Sequence, residues 1–523
     1  MTTPKLFLTC VLARISSLLR PTSLPSLALP GLLLLSLGLV PTASHTIITF
    51  GGSLTDFVHE VSVDATGNTY MLGNFEGMVD FDPGPAAVAK TAAFSDLFVA
   101  SYTADSALRF VFTIEGKSAF NDWIEGSAIT LGKAGDIYIT GRFEGTIDFD
   151  PGPGTEERTS NGFSDAFVAR YSPAGSLVWV LSFGTSQGDT GDDIVVDDAG
   201  NVYVTGTVLS IAGDTVDFDP GPGVVEHTPD GIDTYLVSYD ADGDFRFVTT
   251  LGGPGLNDVY GTNLAFGDAG EIYLAGYFDG VIDFDPGPGT EGRTSNGQFD
   301  AFVARYSTTD GQFQSVFTFG GELDDFVNQL TRTDAGVLHV SGRFDGTADF
   351  DPGPGTVTRT GVGSYLASYA ADGTLRFVHA WEIWSPDHAV DWAGNSYLTG
   401  YFSDRVDFDP GAGTEEHTPV GDTAFLASYN ANGDFLSVVV FEGGPSEGRS
   451  IVLDDAGNGY LSGTFQKTVD FDPGEGVDER TANGFDDIFL VSFPEIGEPA
   501  PELPPLAGQL YVPIIKHTEE TRD

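Results

Sequence analysis

The sequence predicts an all-β fold made of seven repeated sheets of four antiparallel strands. The prediction depends first on a heptapeptide, Asp-Phe-Asp-Pro-Gly-Pro-Gly at residues 148–154, because seven close copies of it recur with a period of about 65 residues. Between the copies, short runs of alternating apolar residues are separated by Gly, Asn and Asp, and no run has the period of a helix. Such a period is typical of supersecondary units that bury their apolar faces only against their neighbours.

The second repeat illustrates the four predicted strands. Residues 127–131 and 137–141 form a hairpin around a Lys-Ala-Gly-Asp turn, residues 165–171 form a third strand, and residues 177–183 form a fourth. Within the heptapeptide, Asp-Phe-Asp has the period of a strand, so both carboxylates share one face and Phe takes the packed face. The following Asp-Pro-Gly predicts a turn.

The seventh repeat lacks a fourth strand, and the other end of the chain offers a replacement. Its third strand, residues 487–493, is followed by a Pro-rich segment. Residues 46–52, Thr-Ile-Ile-Thr-Phe-Gly-Gly, match the end of a fourth strand at residues 318–321, Thr-Phe-Gly-Gly. We therefore expect the N-terminal strand to pair into the last sheet, which would close a seven-bladed β-propeller and leave no sheet edge exposed.

Three motifs carry a family resemblance. They are Asp-x-x-Gly-Asn-x-Tyr-x-x-Gly, then Asp-Ala-Phe-Val-Ala-x-Tyr, then a strand that ends in Gly-Gly with Asp a few residues on. Over residues 46–494 the chain resembles the seven-bladed β-propeller repeat (SBBP-type) proteins of bacterial secreted and surface proteins. The resemblance implies the fold and an extracellular or cell-surface location, and it implies no single activity. The Asp-Phe-Asp-Pro-Gly segment departs from the shorter Asp-Phe-Pro of the commonest version.

The flanking segments differ from the repeats in composition. Residues 1–44 have basic residues, an apolar run and then small residues, which predicts a secretory signal peptide, with a retained membrane anchor as the alternative. The only cysteine, Cys10, lies in this segment, so the secreted chain would contain no disulfide. We assign residues 45–494 to the propeller and residues 495–523 to a Pro-rich linker and tail, with a docking or export signal as the alternative.

The charge of the chain excludes some partners. With 76 acidic and 23 basic residues, the formal net charge is −53. Such a field repels nucleic acid and anionic membranes and favours cations or basic partners. We expect a monomer whose secreted chain has no membrane span, and whose ligand is a protein or a glycan.

The repeated aspartate pairs are candidate calcium ligands, because paired carboxylates beside a turn supply the oxygen atoms that Ca²⁺ prefers. The alternative is that they cap the Pro-Gly turn by hydrogen bonding to its backbone. Calcium is the one cofactor that the sequence suggests. The pairs are Asp80/Asp82, Asp148/Asp150, Asp217/Asp219, Asp283/Asp285, Asp349/Asp351, Asp407/Asp409 and Asp470/Asp472.

The sixth repeat is the shortest, and it contains a second candidate site. It replaces the Gly-Gly segment by residues rich in tryptophan, where aromatic platforms and one acid/base group could bind a sugar or peptide. The alternative is that the indoles fill space left by the deletion. The candidate residues are Trp381, Trp384, Asp387, His388 and Trp392.

Two further acids recur around the repeats. One set precedes the third strand: Asp96, Asp165, Asp233, Asp300 and Asp487. The other follows the Gly-Gly segment: Asp56, Asp122, Asp189, Asp258 and Asp325. We interpret both as turn and strand-end residues that make the same local hydrogen bonds in each repeat.

The sequence favours a secreted or cell-surface binding scaffold without catalytic activity. A ring of equivalent acids argues against an active site, which requires one asymmetric cluster. There is no nucleophile elbow, phosphate loop or zinc spacing. The ligand is expected at the axial face and at the loops after each Asp-Pro-Gly turn. Two alternatives stay open: a carbohydrate-active lyase or hydrolase with its site on the axial face, and a calcium-stabilised structural surface protein.

Overall fold

The computed structural model describes residues 45–500, apart from residues 117–121, 212, 254, 256, 269 and 475. The predicted signal peptide, with Cys10, and residues 501–523 of the predicted tail lie outside the described residues.

The described residues fold into β-strands without a helix. Most of the strands form seven antiparallel sets of four, numbered here as sheets 1 to 7 in chain order. Short pairings of Glu115 and Gly116 with Asp148 and Ile147, and of Gly320 and Gly321 with Asp349 and Ala348, join sheets 1 and 2, and sheets 4 and 5, into two eight-stranded sheets. The first strands of the sheets are β2 (Phe57–Val63), β6 (Trp123–Leu131), β10 (Thr190–Val196), β16 (Val259–Phe266), β22 (Asp325–Arg332), β26 (Trp384–Val390) and β32 (Ser446–Leu453). The second strands are β3 (Thr69–Asp80), β7 (Ile137–Asp148), β11 (Val202–Ser210), β17 (Glu271–Phe278), β23 (Leu338–Asp349), β27 (Ser396–Phe402) and β33 (Gly459–Phe465).

The third and fourth strands complete each sheet. The third strands are β4 (Ala89–Tyr102), β8 (Glu157–Tyr171), β14 (Gly231–Tyr239), β20 (Asp300–Ser307), β24 (Thr358–Tyr369), β30 (Thr423–Tyr429) and β36 (Asp487–Phe493). The fourth strands are β5 (Leu108–Gly116), β9 (Leu177–Phe183), β15 (Phe245–Leu251), β21 (Phe313–Gly321), β25 (Leu375–Trp381), β31 (Phe435–Val440) and, in the seventh sheet, β1 (Thr46–Phe50). The predicted pairing of the N-terminal strand with the last sheet is therefore present, in the register Ile48 with Leu490.

The Asp-Pro-Gly turns lie between the second and third strands. In sheets 1, 2 and 5 these two strands are long enough to run up to the turn. In the other sheets, a separate two-stranded ribbon flanks it: β12 (Val216–Asp217) with β13 (Glu226–His227), β18 (Val281–Asp283) with β19 (Gly292–Thr294), β28 (Val406–Asp407) with β29 (Glu416–His417), and β34 (Thr468–Asp470) with β35 (Glu479–Thr481).

The phenylalanine of each Asp-Phe-Asp segment is buried, as the strand period predicts. Phe149 is fully buried, and its carbonyl oxygen accepts a hydrogen bond of 2.9 Å from the hydroxyl of Tyr171 at the end of the third strand. The same tyrosine-to-backbone bond recurs in the first six sheets. Because each bond joins the turn to the far end of a buried strand, it fixes the turn against the core.

The core lies between neighbouring sheets. Each hydrophobic cluster takes residues from two successive sheets, so no sheet buries its apolar face alone. One cluster combines residues of β1 and of sheets 1 and 7, among them Phe50, Val61, Met71 and Leu490. The first and last sheets are therefore in contact.

The first residues of the predicted linker pack against the sheets. Ile496 packs against the apolar cluster of sheets 6 and 7, and its carbonyl oxygen accepts a hydrogen bond of 2.6 Å from the hydroxyl of Tyr397. The Glu498 N–H donates to Asp391 Oδ2 at 2.8 Å. Within the described part of the chain, no helix has the length and apolarity needed to cross a membrane.

Candidate functional site

A β-bulge interrupts the first strand of every sheet at the same place. In β2 the register shifts between Val58 and Glu60, and matching shifts occur in the other six first strands. A bulge re-aims the side chain of the extra residue. In β26 the shift spans two residues, Ser385 and Pro386, and Pro386 is the one that precedes the paired Asp387. The bulged residues all line one cavity of about 320 Å³, called the central cavity below: His59, Ser127, Asp192, Thr262, Asn328, Ser385, Pro386 and Arg449.

The residue type at the bulge changes from sheet to sheet, unlike the residue types in the rest of the repeat. The turns and core residues are nearly the same in every sheet, whereas the residue just before pairing resumes is His, Ser, Asp, Thr, Asn, Pro and Arg in turn. The central cavity is therefore polar and asymmetric although the scaffold around it is repetitive. Asymmetric convergence of this kind is what a specific ligand site requires.

The residue after the bulge connects neighbouring sheets. Glu60 Oε2 accepts from the backbone N–H of Ile129 in the next sheet at 2.6 Å. The equivalent bonds join Leu264 N–H to Asp193 Oδ2, Leu330 N–H to Asn263 Oδ1, Ile451 N–H to Asp387 Oδ2, and Val61 N–H to Ser450 Oγ. These side chains hold the first strands to one another around the cavity.

Three of these connecting residues are acids in a poorly solvated place. Burial raises the pKa of Glu60 well above its ordinary value, and the charges of Asp193 and Asp387 raise it further. Burial also raises the pKa of Asp193 and of Asp387 to about 6, against the opposing effect of their backbone hydrogen bonds. Burial therefore favours the neutral form of these three acids.

His59 and Asp192 face the central cavity as potential acid and base groups. Asn74 Nδ2 donates to the carbonyl of Ile124 at 2.7 Å, so Asn74 Oδ1 accepts from His59 Nε2 at 2.9 Å. His59 Nδ1 is then the nitrogen with the free lone pair. Burial lowers the pKa of His59, and burial raises the pKa of Asp192 to about 7.

A second cavity of about 490 Å³, called the aromatic cavity below, adjoins the first. The two share Thr262, Asn328, Ser385 and Pro386. The guanidinium of Arg343 lies 5.3 Å from the centre of the Trp384 ring, which is cation–π geometry. The wall of the aromatic cavity adds four aromatic side chains from sheets 4, 5 and 6: Tyr277, Phe326, Trp384 and Tyr401.

The five candidate residues of the sixth repeat do not form one platform. Trp381 is 7% exposed and packs on Tyr429 with ring centres 5.2 Å apart, and His388 is buried between the hydroxyls of Thr331 and Ser341. Trp392 is 45% exposed and lies in the turn that follows β26. Trp384 lines the aromatic cavity, and Asp387 lines the central cavity.

The first aspartate of each Asp-Phe-Asp segment bonds to the backbone on both sides of its turn. Asp148 Oδ1 accepts from the N–H groups of Asp150 at 3.2 Å and of Glu156 at 2.8 Å. The same two bonds recur in every repeat. The residues that make them are Asp80, Asp148, Asp217, Asp283, Asp349, Asp407 and Asp470.

The second aspartate of each segment bonds within the Pro-Gly turn. Asp150 Oδ1 accepts from Gly152 N–H at 2.8 Å, and its Oδ2 lies against the next glycine, so that a Cβ at Gly154 would come 2.0 Å from it. The bond from the first glycine is 2.7–2.9 Å long in every repeat. Its acceptors are Asp82, Asp150, Asp219, Asp285, Asp351, Asp409 and Asp472.

The hydrogen bonds of the aspartate pairs bear on whether the pairs bind calcium or cap the turn. Among the described residues, which include all the pairs, no three or more His, Cys, Asp or Glu side chains are grouped so that they could hold a metal ion. The bonds are instead those expected if the aspartates cap the turn. Neither member of a pair needs a metal to satisfy the oxygen that faces the backbone, so calcium at the turns stays a prediction for experiment. The second aspartate accepts the same hydrogen bond from the turn in each repeat, and these residues are Asp82, Asp150, Asp219, Asp285, Asp351, Asp409 and Asp472.

The two further sets of recurrent acids meet at the junctions between sheets. The acid in a third strand approaches the acid before, or at the start of, the next first strand. Both lie against the last glycines of the fourth strand, so that a Cβ at Gly184 would come 2.6 Å from Asp165 Oδ1 and 2.7 Å from Asp189 Oδ2. Burial raises the pKa of Asp165 to about 7 and of Asp189 to about 6. The pairs are Asp487/Asp56, Asp165/Asp189, Asp233/Asp258 and Asp300/Asp325.

Reasoning from the sequence missed the bulged residues. A period of two assigns Ser127 and Ile129 to the same face, and the bulge breaks that period. The signal that could have found them is the alignment of the seven first strands, in which one column between recurrent glycines and apolar residues changes from repeat to repeat.

Comparison with known proteins gives distant similarities. No family model matches the chain. The chain is 26% identical over 258 residues to the regulatory protein FlaEY of Caulobacter vibrioides, which covers 46% of this chain and 25% of that protein. It is 22% identical over 208 residues to an uncharacterized WD repeat-containing protein of Acanthamoeba polyphaga mimivirus, which covers 35% of this chain and 15% of that protein. The chain thus spans a quarter or less of these relatives.

One similar solved structure is that of a polysaccharide lyase, an ulvan lyase. Its sequence is 12% identical to this chain, the TM-score is 0.39, and the match covers 86% of this chain and 97% of that one. A quinohemoprotein alcohol dehydrogenase from Pseudomonas putida is 10% identical with a TM-score of 0.38, covering 87% of this chain and 77% of that one.

Proposed function

We propose that the seven sheets are the blades of a closed β-propeller of the SBBP-type family, with β1 as the last strand of the seventh blade. Contacts between sheets 7 and 1 support this arrangement. Val61 N–H in β2 approaches Ser450 Oγ in β32 at 3.4 Å, and Phe50 packs in a cluster shared by both sheets. The acid pair Asp487/Asp56 repeats at this junction the pairs found between successive sheets. Closure would leave no sheet edge unpaired.

The proposed function is specific, non-catalytic binding by a secreted or cell-surface scaffold. The observation that carries the proposal is the convergence of bulged side chains from all seven sheets, of seven different types, on one central cavity. A purely structural repeat would have no reason to vary this position while keeping its turns and core. The secreted location rests on the predicted signal at residues 1–44, and a monomer remains our expectation.

The ligand class that fits both cavities is a neutral or basic glycan. A sugar ring has an apolar face that stacks on aromatic side chains and hydroxyl groups that bond to polar ones. Trp384 and Tyr401 in the aromatic cavity could provide the stacking surface, and Thr262 and Asn328, shared by both cavities, could provide the hydrogen bonds. The carboxylates of the central cavity and the net charge of −53 disfavour an anionic glycan.

The test compares two tryptophans that lie at opposite ends of β26. The purified chain is screened against immobilised neutral, amino-sugar and uronate-containing oligosaccharides, and the affinity for any bound sugar is then measured by calorimetry. Trp384→Ala should weaken binding by about tenfold or more, equivalent to about 1.4 kcal/mol. Trp392→Ala removes an indole beyond the other end of the strand and should leave affinity unchanged. Binding that survives Trp384→Ala, or the absence of any bound sugar, would contradict the proposal.

A carbohydrate-active lyase or hydrolase is the second candidate, favoured by His59 and Asp192. A neutral histidine with a free lone pair and a carboxyl group with a pKa of about 7 are suitable for acid/base work at neutral pH. The bound sugar would be incubated with the wild-type chain and its products separated by chromatography. Turnover that is lost in both His59→Ala and Asp192→Asn but kept in Trp392→Ala would replace the binding function by the enzymatic one.

A further inference from the structure

At the junction between sheets 4 and 5, both acids of the pair have a buried oxygen without a hydrogen-bond partner, whereas at two other junctions only one acid does, Asp233 or Asp487. Asp300 begins the third strand of sheet 4 and Asp325 begins the first strand of sheet 5, and each is only 1% exposed. Asp300 Oδ1 and Asp325 Oδ1 are both buried without a hydrogen-bond partner. Two buried carboxylate oxygens without partners at one junction are costly unless a bound cation or a proton compensates them.

The two carboxylates approach the same glycine. A Cβ at Gly320 would come 2.6 Å from Asp300 Oδ1 and 2.9 Å from Asp325 Oδ2, so only glycine permits this approach. The other oxygens are held in place: Asp325 Oδ2 accepts from Gly321 N–H at 2.7 Å, and Asp300 Oδ2 accepts from Asn296 N–H at 3.0 Å. The hydrogen bonds of the two Oδ2 atoms therefore fix the orientation of both carboxylates, and with it the positions of the two Oδ1 atoms that have no partner.

The equivalent pair between sheets 2 and 3 approaches its glycine in the same way, but neither of its acids has a buried oxygen without a hydrogen-bond partner. Asp189 accepts from Thr185 N–H and from Leu209 N–H at 2.9 Å, and Asp165 Oδ1 accepts from Asn161 N–H at 3.1 Å. Neither Asp165 nor Asp189 has a buried oxygen without a partner. This junction is an internal control, because it has the same fold and the same residue types but satisfied carboxylates.

We propose that the junction between sheets 4 and 5 is a divalent-cation site for calcium, with Asp300 and Asp325 as its acidic ligands. Ca²⁺ accepts carboxylate, carbonyl and water oxygens in irregular geometry, which suits two carboxylates among strand ends, whereas Mg²⁺ requires a near-octahedral shell and gives up its waters reluctantly. Two carboxylates would neutralise the charge of the ion, and backbone carbonyls and waters would complete its shell. The site is distinct from the Asp-Pro-Gly turns and does not depend on the proposed ligand of the central cavity.

The test is calcium binding to the full chain and to two matched double variants. Asp300→Asn/Asp325→Asn keeps the shape of both side chains and removes both charges, and Asp165→Asn/Asp189→Asn does the same at the control junction. Binding of radioactive calcium is counted by equilibrium dialysis. The melting temperature of each protein is followed in EDTA, in CaCl₂ and in MgCl₂ at equal ionic strength, since an ion that binds only the folded chain raises it.

We expect calcium to raise the melting temperature of the wild-type chain and of the control variant, with a smaller effect of magnesium. The Asp300→Asn/Asp325→Asn variant should bind one calcium ion fewer and should lose that part of the increase. If this variant does not fold, the single variant Asp325→Asn is measured for the same loss in dialysis. A wild-type chain that binds no calcium, or an equal loss in both double variants, would overturn the proposal.

Discussion

Glu60 in β2 accepts a hydrogen bond of 2.6 Å from the backbone N–H of Ile129, which belongs to β6 in the next sheet. The bond joins two strands that are not paired with each other, and it does so with an acid whose pKa burial raises well above the ordinary value. The lining of the central cavity is thus also what connects the sheets. The same position in other sheets holds further side chains that accept the equivalent bond: Asp193, Asn263, Asp387 and Ser450.

The first prediction concerns this connection. Glu60→Ala should lower the free energy of unfolding by about 1–3 kcal/mol, because it leaves the Ile129 N–H without an acceptor. Glu60→Gln keeps an oxygen at the same place and removes a charge that is costly to bury, so its stability should equal or exceed that of the wild type at pH 7. Urea unfolding measures both, with the exposed Glu382→Ala as control. Equal midpoints for Glu60→Ala and Glu382→Ala would refute the connecting role.

The repetitive part of this molecule can be predicted from its sequence. The alternation of apolar residues predicted the four strands, and the buried Phe149 and its turn follow from the period of Asp-Phe-Asp and from Asp-Pro-Gly chemistry. The match between residues 46–52 and 318–321 predicted the partner of β1. These features are local, or repeat so often that one copy explains the rest.

The candidate site could not be predicted in the same way, because it depends on contacts between repeats. A bulge becomes visible only when a strand is compared with its partner, so the orientation of His59 is not contained in its own neighbourhood. Closeness in sequence groups the three tryptophans of the sixth repeat into one candidate site, but the structure separates them. Trp381 ends one sheet, Trp384 begins the next and Trp392 lies beyond the far end of that strand, so three neighbours in sequence occupy three environments.

The second prediction tests the pairing of β1 with β36. Thr46 and Ser492 are cross-strand partners whose hydroxyl oxygens lie 2.6 Å apart. Cysteines at both positions, in a Cys10→Ser background, should form a disulfide. This disulfide would close a loop that contains almost all seven sheets. Its formation should therefore stabilise the chain by about 3–5 kcal/mol. Denaturant unfolding of the oxidised and the reduced form of one preparation measures the difference. Failure of the thiols to oxidise would mean that β1 does not hold this place.

The third prediction concerns pH. The raised pKa values of Asp165 and Asp189 mean that, between about pH 4 and 7, the folded chain keeps protons that the unfolded chain releases. Stability from this pair is therefore present at low pH and is lost as the pH rises through this range. Buried His388, whose pKa burial lowers to about 3, acts in the opposite direction. The total slope is therefore less informative than a difference between variants.

The measurement for this third prediction is urea unfolding at a series of pH values. Relative to the wild type, Asp165→Asn/Asp189→Asn should gain stability as the pH rises from 4 to 7, by at most about 1.4 kcal/mol per pH unit for each proton involved. Asp105→Asn, at an exposed turn, serves as the control and should run parallel to the wild type. A double variant that also runs parallel would show that these carboxyl groups titrate normally.

The last prediction separates the two interpretations of the Asp-Phe-Asp-Pro-Gly segments. Asp148 Oδ1 accepts two backbone N–H groups, one on each side of the turn, and an asparagine could accept both with its own oxygen. If the aspartate caps the turn, Asp148→Ala should cost about 0.5–1.5 kcal/mol for each bond lost, and Asp148→Asn should cost little. Neither cost should depend on calcium. If the aspartate also binds calcium, CaCl₂ should stabilise the wild type more than it stabilises either variant. Thermal unfolding of the three chains in the two buffers distinguishes these outcomes, and Asp300→Asn/Asp325→Asn, measured in parallel, tells whether any calcium effect comes from the junction or from the turn.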